Sequence, residues 1–410
     1  MKNVVLFRYS PRVVELWNLN NTNSIILANK SIKDKYDHSP IKVNEDIVRF
    51  IDNFDMSTLF REVSSIHKQE GIASVTSLSE EDVDKAGFLH SFFTKSKDEY
   101  STSTLFKDKL YMRSALIDIV QQPKFVGLEE SGLTKDELLE QGFNIVKPRS
   151  SAGSKGIYKL DSISDNDYKT LPVSEYMAES YVDSSRMLTC DGLAVGNEIV
   201  HFYIHEYDNM VLSSLTESSG LTIKTSTVYD EDPELLHTLF ENTQKVINHF
   251  CCQSNVVNPF HFEWFIDSTK KPVFCEVGRR FGGMGIPRII RYAFGQDILT
   301  DYWETLLSND NKEKLNIVTS RNIKYPTLRA ACYGHYKKSG QVLAAPTKDD
   351  FPEAENAWIW VKAGDIFESS SKIITDNSAI FELVADDDSE LEKKLLRIQE
   401  TMNTMLEYQC

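Results

Sequence analysis

Positive charge is the scarce quantity in this 410-residue chain: Lys and Arg total 45 against 61 Asp and Glu, a formal net charge of -16. A surface that acidic repels phosphate polymers and anionic lipid unless a local basic patch offsets it. Nucleic acid and membrane are therefore not expected partners. Cysteine is sparse too. The six are Cys190, Cys251, Cys252, Cys275, Cys332 and Cys410, with no CxxC spacing and one adjacent pair. That pattern suits neither a zinc knuckle nor an ordinary disulfide, and most should be buried thiols acting as small hydrophobes. No run of 18 apolar residues exists, so no transmembrane helix is expected. The apolar stretch within Met1–Arg8 is too short for a signal h-region. Internal repeats and low-complexity tracts are absent. The chain reads as a reduced, cytoplasmic, soluble protein.

What is present is ordinary globular composition, 41% hydrophobic and 26% charged, which excludes disorder, collagen-like repeats and coiled-coil rods as the main organisation. The length corresponds to about three domains. Short strand candidates at Val4–Phe7, Ser24–Leu27, Ile47–Phe50 and Ile72–Val75 alternate with helical stretches such as Leu59–His67. Alternation of that kind predicts a parallel, doubly wound sheet. The polar segment Thr94–Ser103 reads as a linker. A helix is expected over about Lys107–Gln121, with Met112, Leu116, Ile119 and Val120 on one face and Pro123 as its stop. Asp232-Pro233 opens another amphipathic helix carrying Leu236, Leu239, Phe240, Ile247 and Phe250. The last part, from about Tyr325, begins strand-like and ends in a helix with an apolar stripe, Leu391, Leu395, Ile398, Met402 and Met405. That stripe suits core packing better than a partner-binding coiled coil.

Two constellations carry chemistry. The first is the loop Lys147-Pro148-Arg149-Ser150-Ser151-Ala152-Gly153-Ser154-Lys155-Gly156 between two strand-like segments. Small residues let consecutive backbone N–H groups approach phosphate oxygens, and Lys147 would add an ammonium. It is neither a Walker A loop nor a G-x-G-x-x-G fingerprint; taken alone such a loop is more often a plain flexible connection. The second is a hairpin, Asn258–Asp267 and Val273–Arg280. Strand periodicity puts Phe262, Trp264 and Ile266 on one face and His261 and Glu263 on the other, with Glu276, Gly278 and Arg280 sharing a face of the second strand. If the polar faces coincide, two carboxylates meet and their repulsion calls for a cation. Mg²⁺, which takes one or two carboxylates plus phosphate oxygens, fits such a pair, with Mn²⁺ as the alternative. Gly282-Gly283 beyond it leaves room for a ligand. The bland alternative is an edge hairpin with surface charges.

In order along the chain, Asp108–Arg113, the Lys-Pro/Ser-Gly loop, Ala178–Asp183, Asp191–Val195 and the His261–Gly283 hairpin resemble the ATP-grasp superfamily. Within it the chain is most similar to carboxylate–amine ligases of the L-amino acid, dipeptide-forming type. The likeness runs from about Ala86 to Asp297, roughly half the chain, and Ala330–Val342 resembles the family's last domain. The resemblance implies an ATP-grasp fold of mixed α/β and α+β class. Residues 1–103 would form the front α/β domain, and 104–182 and 183–323 the two nucleotide-clasping subdomains. Residues 324–410 would form a capping region.

By the same resemblance Lys109 and Lys147 contact ATP phosphates. Ser150, Ser151, Gly153, Ser154 and Gly156 close over the β- and γ-phosphates, and Glu179, Ser180, Tyr181 and Val182 form the adenine hinge. Glu263 and Glu276 hold Mg²⁺, and Arg280 serves the γ-phosphate and acyl phosphate. Arg280 and Arg288 are the guanidiniums best suited to fork onto a substrate carboxylate, although Arg288 also reads as a surface Arg at a helix start. His201, His205 and His261 lie on or beside strands of the cleft, where a lone His is more often structural; His261 is the one carried forward as a substrate contact.

Two departures stand out. Arg186 occupies the place of a ribose-binding Glu, which passes that role to Asp183 or elsewhere. Gly278 stands where many members carry an Asn metal ligand. The resemblance implies acyl-phosphate formation followed by attack of an amine. An alternative acceptor is the phosphopantetheine thiol of an acyl carrier protein, for which Lys95, Lys97, Lys107 and Lys109 or Lys270-Lys271 could supply a basic patch. A catalytically inactive nucleotide-binding module is the reading from another class, against which the complete set Lys109, Lys147, Glu263, Glu276 and Arg280 argues. Gly278 and the shorter chain disfavour a biotin-dependent carboxylase. Expected partners are small-molecule carboxylate and amine substrates, with a carrier protein and a second copy of the chain as further candidates.

Overall fold

The structure, a computed structural model, describes residues 1–151, 153–251, 256–308, 316–371, 373–374 and 376–409. Four parallel strands, β1 (Lys2–Phe7), β2 (Ser24–Asn29), β3 (Val48–Ile51) and β4 (Ile72–Ser77), form the first sheet in the order β3-β2-β1-β4. The helix Met56–Glu70 starts at Asp55, whose carboxylate accepts the Thr58 N–H at 2.9 Å, and buries Leu59, Val63 and Ile66. All four expected strands are present, three of them longer by two residues and the third shifted by one to Val48–Ile51.

The expected linker at Thr94–Ser103 is a correction: Glu99–Leu105 is helical, with Glu99, Thr102 and Ser103 buried. Thr102 Oγ1 donates to Phe250 O at 3.0 Å and Ser103 Oγ accepts from Arg279 at 2.7 Å. Polarity here serves buried hydrogen bonds, not solvent. The next helix is also shorter than expected, Lys109–Ala115. It ends well before Pro123, the chain passing through turns and a left-handed Asp118 (φ 64°). Met112 and Leu116 are buried, while Ile119 and Val120 are only half-buried.

A second, antiparallel sheet contains β5 (Phe125–Gly127), β6 (Ile145–Pro148), β7 (Tyr158–Lys159) and β8 (Tyr176–Glu179) in the order β5-β8-β6-β7. The third is the largest, with eight antiparallel strands. They are β9 (Ser184–Val195), β10 (Glu198–Tyr207), β11 (Gly220–Thr225), β12 (Val257–Asp267), β13 (Pro272–Gly278), β14 (Arg329–Tyr336), β16 (Asn356–Ile359) and β18 (Asn377–Ala385). Their order is β13-β12-β9-β10-β11-β14-β18-β16, so one sheet continues across residue 323. Short strands β15 (Gly340–Ala344), β17 (Ile366–Phe367) and β19 (Glu407–Gln409) pair separately.

The helix Pro233–Phe250 carries proline at its first turn and Asp232 as cap, and buries Leu236, Leu239, Phe240, Ile247 and Phe250. In the helix Asp388–Met405, Leu391, Leu395, Ile398 and Met402 lie buried in one cluster with Tyr333, Phe381 and Leu383, leaving only Met405 of the stripe exposed. The stripe is core. Cys190, Cys251, Cys275 and Cys332 are buried free thiols; Cys252, Cys410 and the loop residue Ala152 lie outside the described residues. No helix among the described residues is long and apolar enough to cross a membrane.

Candidate active site

The site is built on one face of the large sheet. β12 and β13 are paired so that Glu263 stands directly opposite Glu276, with His261 opposite Gly278. Phe262, Trp264 and Ile266 point the other way and are fully or almost fully buried, as the two-residue period of a strand requires. The same period on the neighbouring strands adds Thr189 and Asp191 of β9 and His205 and Tyr207 of β10 to the polar face.

These groups form a buried network. Asp191 accepts from Thr189 Oγ1 (2.6 Å) and is approached by His205 Nδ1 (2.8 Å) and His261 Nδ1 (2.7 Å). His261 Nε2 lies 3.5 Å from Glu263 Oε1, which also receives the Tyr207 hydroxyl at 3.3 Å. Burial works against charge on His261, but Asp191 outweighs it and the imidazole is raised to about 9. Asp191 is likewise held far below the ordinary carboxylate range by its two histidines despite complete burial. With one nitrogen on Asp191 and the other facing Glu263, His261 has no ring nitrogen left for a substrate. Gly282, thought to leave room for a ligand, instead lies against this network: a Cβ there would come 2.7 Å from Asp191 Oδ1 and 2.3 Å from Ile286 Cδ1. Gly283 has open space around it.

Cations gather beside Glu276. Lys109 Nζ donates to Ser151 O (2.6 Å) and sits 3.3 Å from Glu276. Burial would raise Glu276, yet Lys109, Lys147 and Arg280 hold it at about 2. Burial likewise opposes the charge of Lys109, and Glu276 and Glu80 more than restore it. Lys147, in β6, pairs with Glu179 at 2.7 Å, and Arg113 approaches the other oxygen of that carboxylate at 2.7 Å. Arg113 is buried and also donates to Phe274 O and Cys275 O of β13 (3.2 and 2.9 Å). It therefore ties the small antiparallel sheet to the large one. Glu179 thus contributes its side chain as a clamp on two cations.

Ser150, Ser151, Gly153, Ser154 and Gly156 lie on the turn between β6 and β7. Gly153, Ser154 and Gly156 all have positive φ (66°, 62° and 76°), a backbone that glycine adopts most cheaply. At the hinge, Ser180 N–H donates to Lys124 O at 2.8 Å and Tyr181 N–H to Asn144 Oδ1 at 3.2 Å. The Val182 N–H meets no protein acceptor among the described residues. Arg186 is taken up by Glu206 in a two-pronged pair, both contacts 2.7 Å.

Arg280 Nε donates to Glu80 at 2.6 Å, and Nη1 to Phe281 O at 3.0 Å. Arg288 lies apart, on the helix Ile286–Phe294. Its Nε meets the buried Glu382 of β18, and its guanidinium stands 5.1 Å from the Trp358 ring centre. Lys107 and Lys109 are buried and occupied by Glu80 and Glu276. They therefore cannot belong to a surface patch for a carrier protein, which corrects that expectation for these two residues.

Glu80 and Tyr207 complete the site beyond the residues named from sequence, and Arg113, Asp191 and His205, named there without a site role, gain one. Tyr207 could have been found by extending the two-residue period from His205 along β10. Glu80 carries no local signal, because its partner is 200 residues away. Among the described residues no three His, Cys, Asp or Glu side chains converge as a ready-made metal cage. The Glu263–Glu276 pair fits a hard cation that completes its shell with phosphate oxygens and water.

No protein-family model and no curated protein sequence matches the chain. Solved structures do match it. The L-amino acid ligase from Bacillus licheniformis superposes with a TM-score of 0.72 at 14% identity, covering 100% of this chain and 99% of that one. Carboxyaminoimidazole ribonucleotide synthase from Aspergillus clavatus, complexed with ATP, gives 0.68 at 13% identity over 98% of both chains. Biotin carboxylase from Campylobacter jejuni gives 0.62 at 12%, covering 99% of this chain and 92% of that chain. Over its whole length the chain therefore has the ATP-grasp fold expected from the order of its motifs.

Proposed function

We propose that this chain is an ADP-forming ligase that activates a carboxylate, most naturally that of an amino acid, as an acyl phosphate and transfers the acyl group to an amine. The observation that carries the reading is Glu263 facing Glu276 across β12 and β13, with Lys109, Lys147 and Arg280 gathered around Glu276. Phosphoryl transfer asks little covalent chemistry of a protein and much positioning and charge neutralisation. Glu263 and Glu276 would hold Mg²⁺, which supplies charge neutralisation to the phosphates when bound.

In the first step a carboxylate oxygen of the substrate attacks the γ-phosphorus, the bond to the β-phosphate oxygen breaks, and ADP leaves. In the second the amine nitrogen attacks the acyl carbon, inorganic phosphate departs, and the nitrogen loses its proton. Lys109 and Lys147 serve the phosphates, with the Ser150–Gly156 turn closing over them. The free Val182 N–H suits an adenine acceptor. Arg280 serves the transferring group, and the terminal nitrogens of Arg288 suit the carboxylate of an amino-acid acceptor. The L-amino acid ligase among the similar structures supports this class of reaction.

Incubation with ATP, Mg²⁺, hydroxylamine and a panel of amino acids should give hydroxamate and ADP in equal amounts. Glu276→Ala should abolish both. Release of AMP and pyrophosphate, or full turnover by Glu276→Ala, would reject the reading. The same panel with and without a carrier protein tells an amine acceptor from a thiol.

A further inference from the structure

Arg280 and Lys107 both meet Glu80, a residue that follows the first sheet. Glu80 lies in the 3-10 turn Glu80–Asp82, just past the carboxyl end of β4, the end of a parallel strand that faces ligands in open α/β sheets. Its carboxylate takes Arg280 Nε at 2.6 Å and stands 3.6 Å from the buried Lys107. Arg280 Nη1 is engaged by Phe281 O, and Nη2 meets no protein acceptor among the described residues. Two of the three guanidinium nitrogens are therefore fixed, and the third is left for a ligand. The neighbouring Arg279 points the opposite way, onto Glu99, Ser103 and Asn258.

Glycine at position 278 leaves this arrangement its room. A Cβ on Gly278 would lie 3.0 Å from Glu80 Oε2, 3.3 Å from Arg280 Cγ and 3.4 Å from Arg280 Nε. Any side chain there competes with the ion pair for the same volume. Glu80 is also unsuited to reading a substrate ammonium, since Arg280, Lys107 and Lys109 already surround it and outweigh the effect of its burial.

We infer that Glu80 is the positioning residue for Arg280, and that a side chain at position 278 would press on the pair and shift the guanidinium. The inference rests on the proposed reading of Arg280 as the group that serves the transferring phosphoryl and acyl phosphate. A pinned guanidinium loses no side-chain freedom as charge builds on the transferring group, so the benefit falls on the chemical step and not on ATP binding.

The test uses the full chain, MgATP, hydroxylamine as acceptor and the amino acid that gives most hydroxamate with wild type. Glu80→Gln, Glu80→Ala and Gly278→Ala should each lower kcat by on the order of tenfold to a hundredfold while the KM for ATP stays within about twofold. The double variant Glu80→Ala/Gly278→Ala should be slower than Glu80→Ala by much less than the product of the single effects, because the tightest contact has lost its partner and Arg280, no longer pinned, can move aside. A harmless Gly278→Ala, effects that multiply in the double variant, or a raised KM for ATP with unchanged kcat would overturn the inference. Should Glu80→Ala melt far below wild type, Glu80→Gln, which keeps the volume, replaces it, and full kcat there is equally fatal. If wild type itself forms no hydroxamate, the proposed reaction fails; if wild type does and the Glu80 variants match it, only this inference fails.

Discussion

At the scale of single residues, ionisation in this protein turns on whether opposite charges stand close enough to overcome burial. Asp191 and Glu276 stay charged because cations surround them, whereas His335, in β14, has little but apolar surroundings and the hydroxyl of Tyr333 at 2.8 Å. Burial, with the Lys338 charge adding to it, lowers His335 to about 4. Between pH 4 and an unfolded value of about 6.5 the unfolded chain binds the extra proton, so stability is lost on acidification through that window, by on the order of 3 kcal/mol for this group. Replacing the residue by His335→Gln should make the melting temperature less sensitive to pH in that interval than it is in wild type. Equal slopes for the two proteins would show that His335 does not titrate this way. What sequence reveals about residues follows their spacing. Glu263 and Glu276 were legible because alternation on two adjacent strands puts them on one face. Arg113 and Glu80 were not, because nothing local marks a charge whose partner arrives from another sheet.

At the scale of elements, periodicity was a good guide and polarity a poor one. The helix Asp388–Met405 follows its apolar stripe residue by residue, and Leu395 is 4% exposed within the core shared with β14 and β18. Leu395→Ala should destabilise the protein by about 2–5 kcal/mol, read as a lower melting temperature with the oligomeric state unchanged. A change in association with little loss of stability would point instead to a partner-facing helix. The segment after Thr94 misled because a run of Ser, Thr and Lys looks solvated. Its helix instead crosses the preceding one closely enough that a Cβ on Gly87 would meet Ser103 Oγ at 2.2 Å. Hydrophobicity patterns do not report a polar residue that is buried to serve an arginine.

At the scale of the whole molecule, a net charge of -16 coexists with a cleft where Lys107, Lys109, Arg113, Lys147 and Arg280 are buried or largely so. The charge deficit of the composition describes the outer surface and says nothing of this concentration. A small polyanion bound there stabilises the folded state by mass action, about 2.7 kcal/mol at a hundred times its dissociation constant. MgATP should therefore raise the melting temperature measurably, and Lys147→Ala should largely remove that rise. No shift at millimolar MgATP in wild type would speak against nucleotide binding.

The ion pairs that join the layers also set an order in time. Glu99 and Glu80 find their guanidiniums on residues 180 and 200 positions later in the chain. During synthesis the first sheet can close its own apolar core, but Glu99 and Glu80 gain these arginines only once the residues after β13 have been made. Burying either one earlier, without its arginine, would cost several kcal/mol. The residues past β4 that meet the site are thus expected to settle after β1 to β4, although those strands are the first to be made.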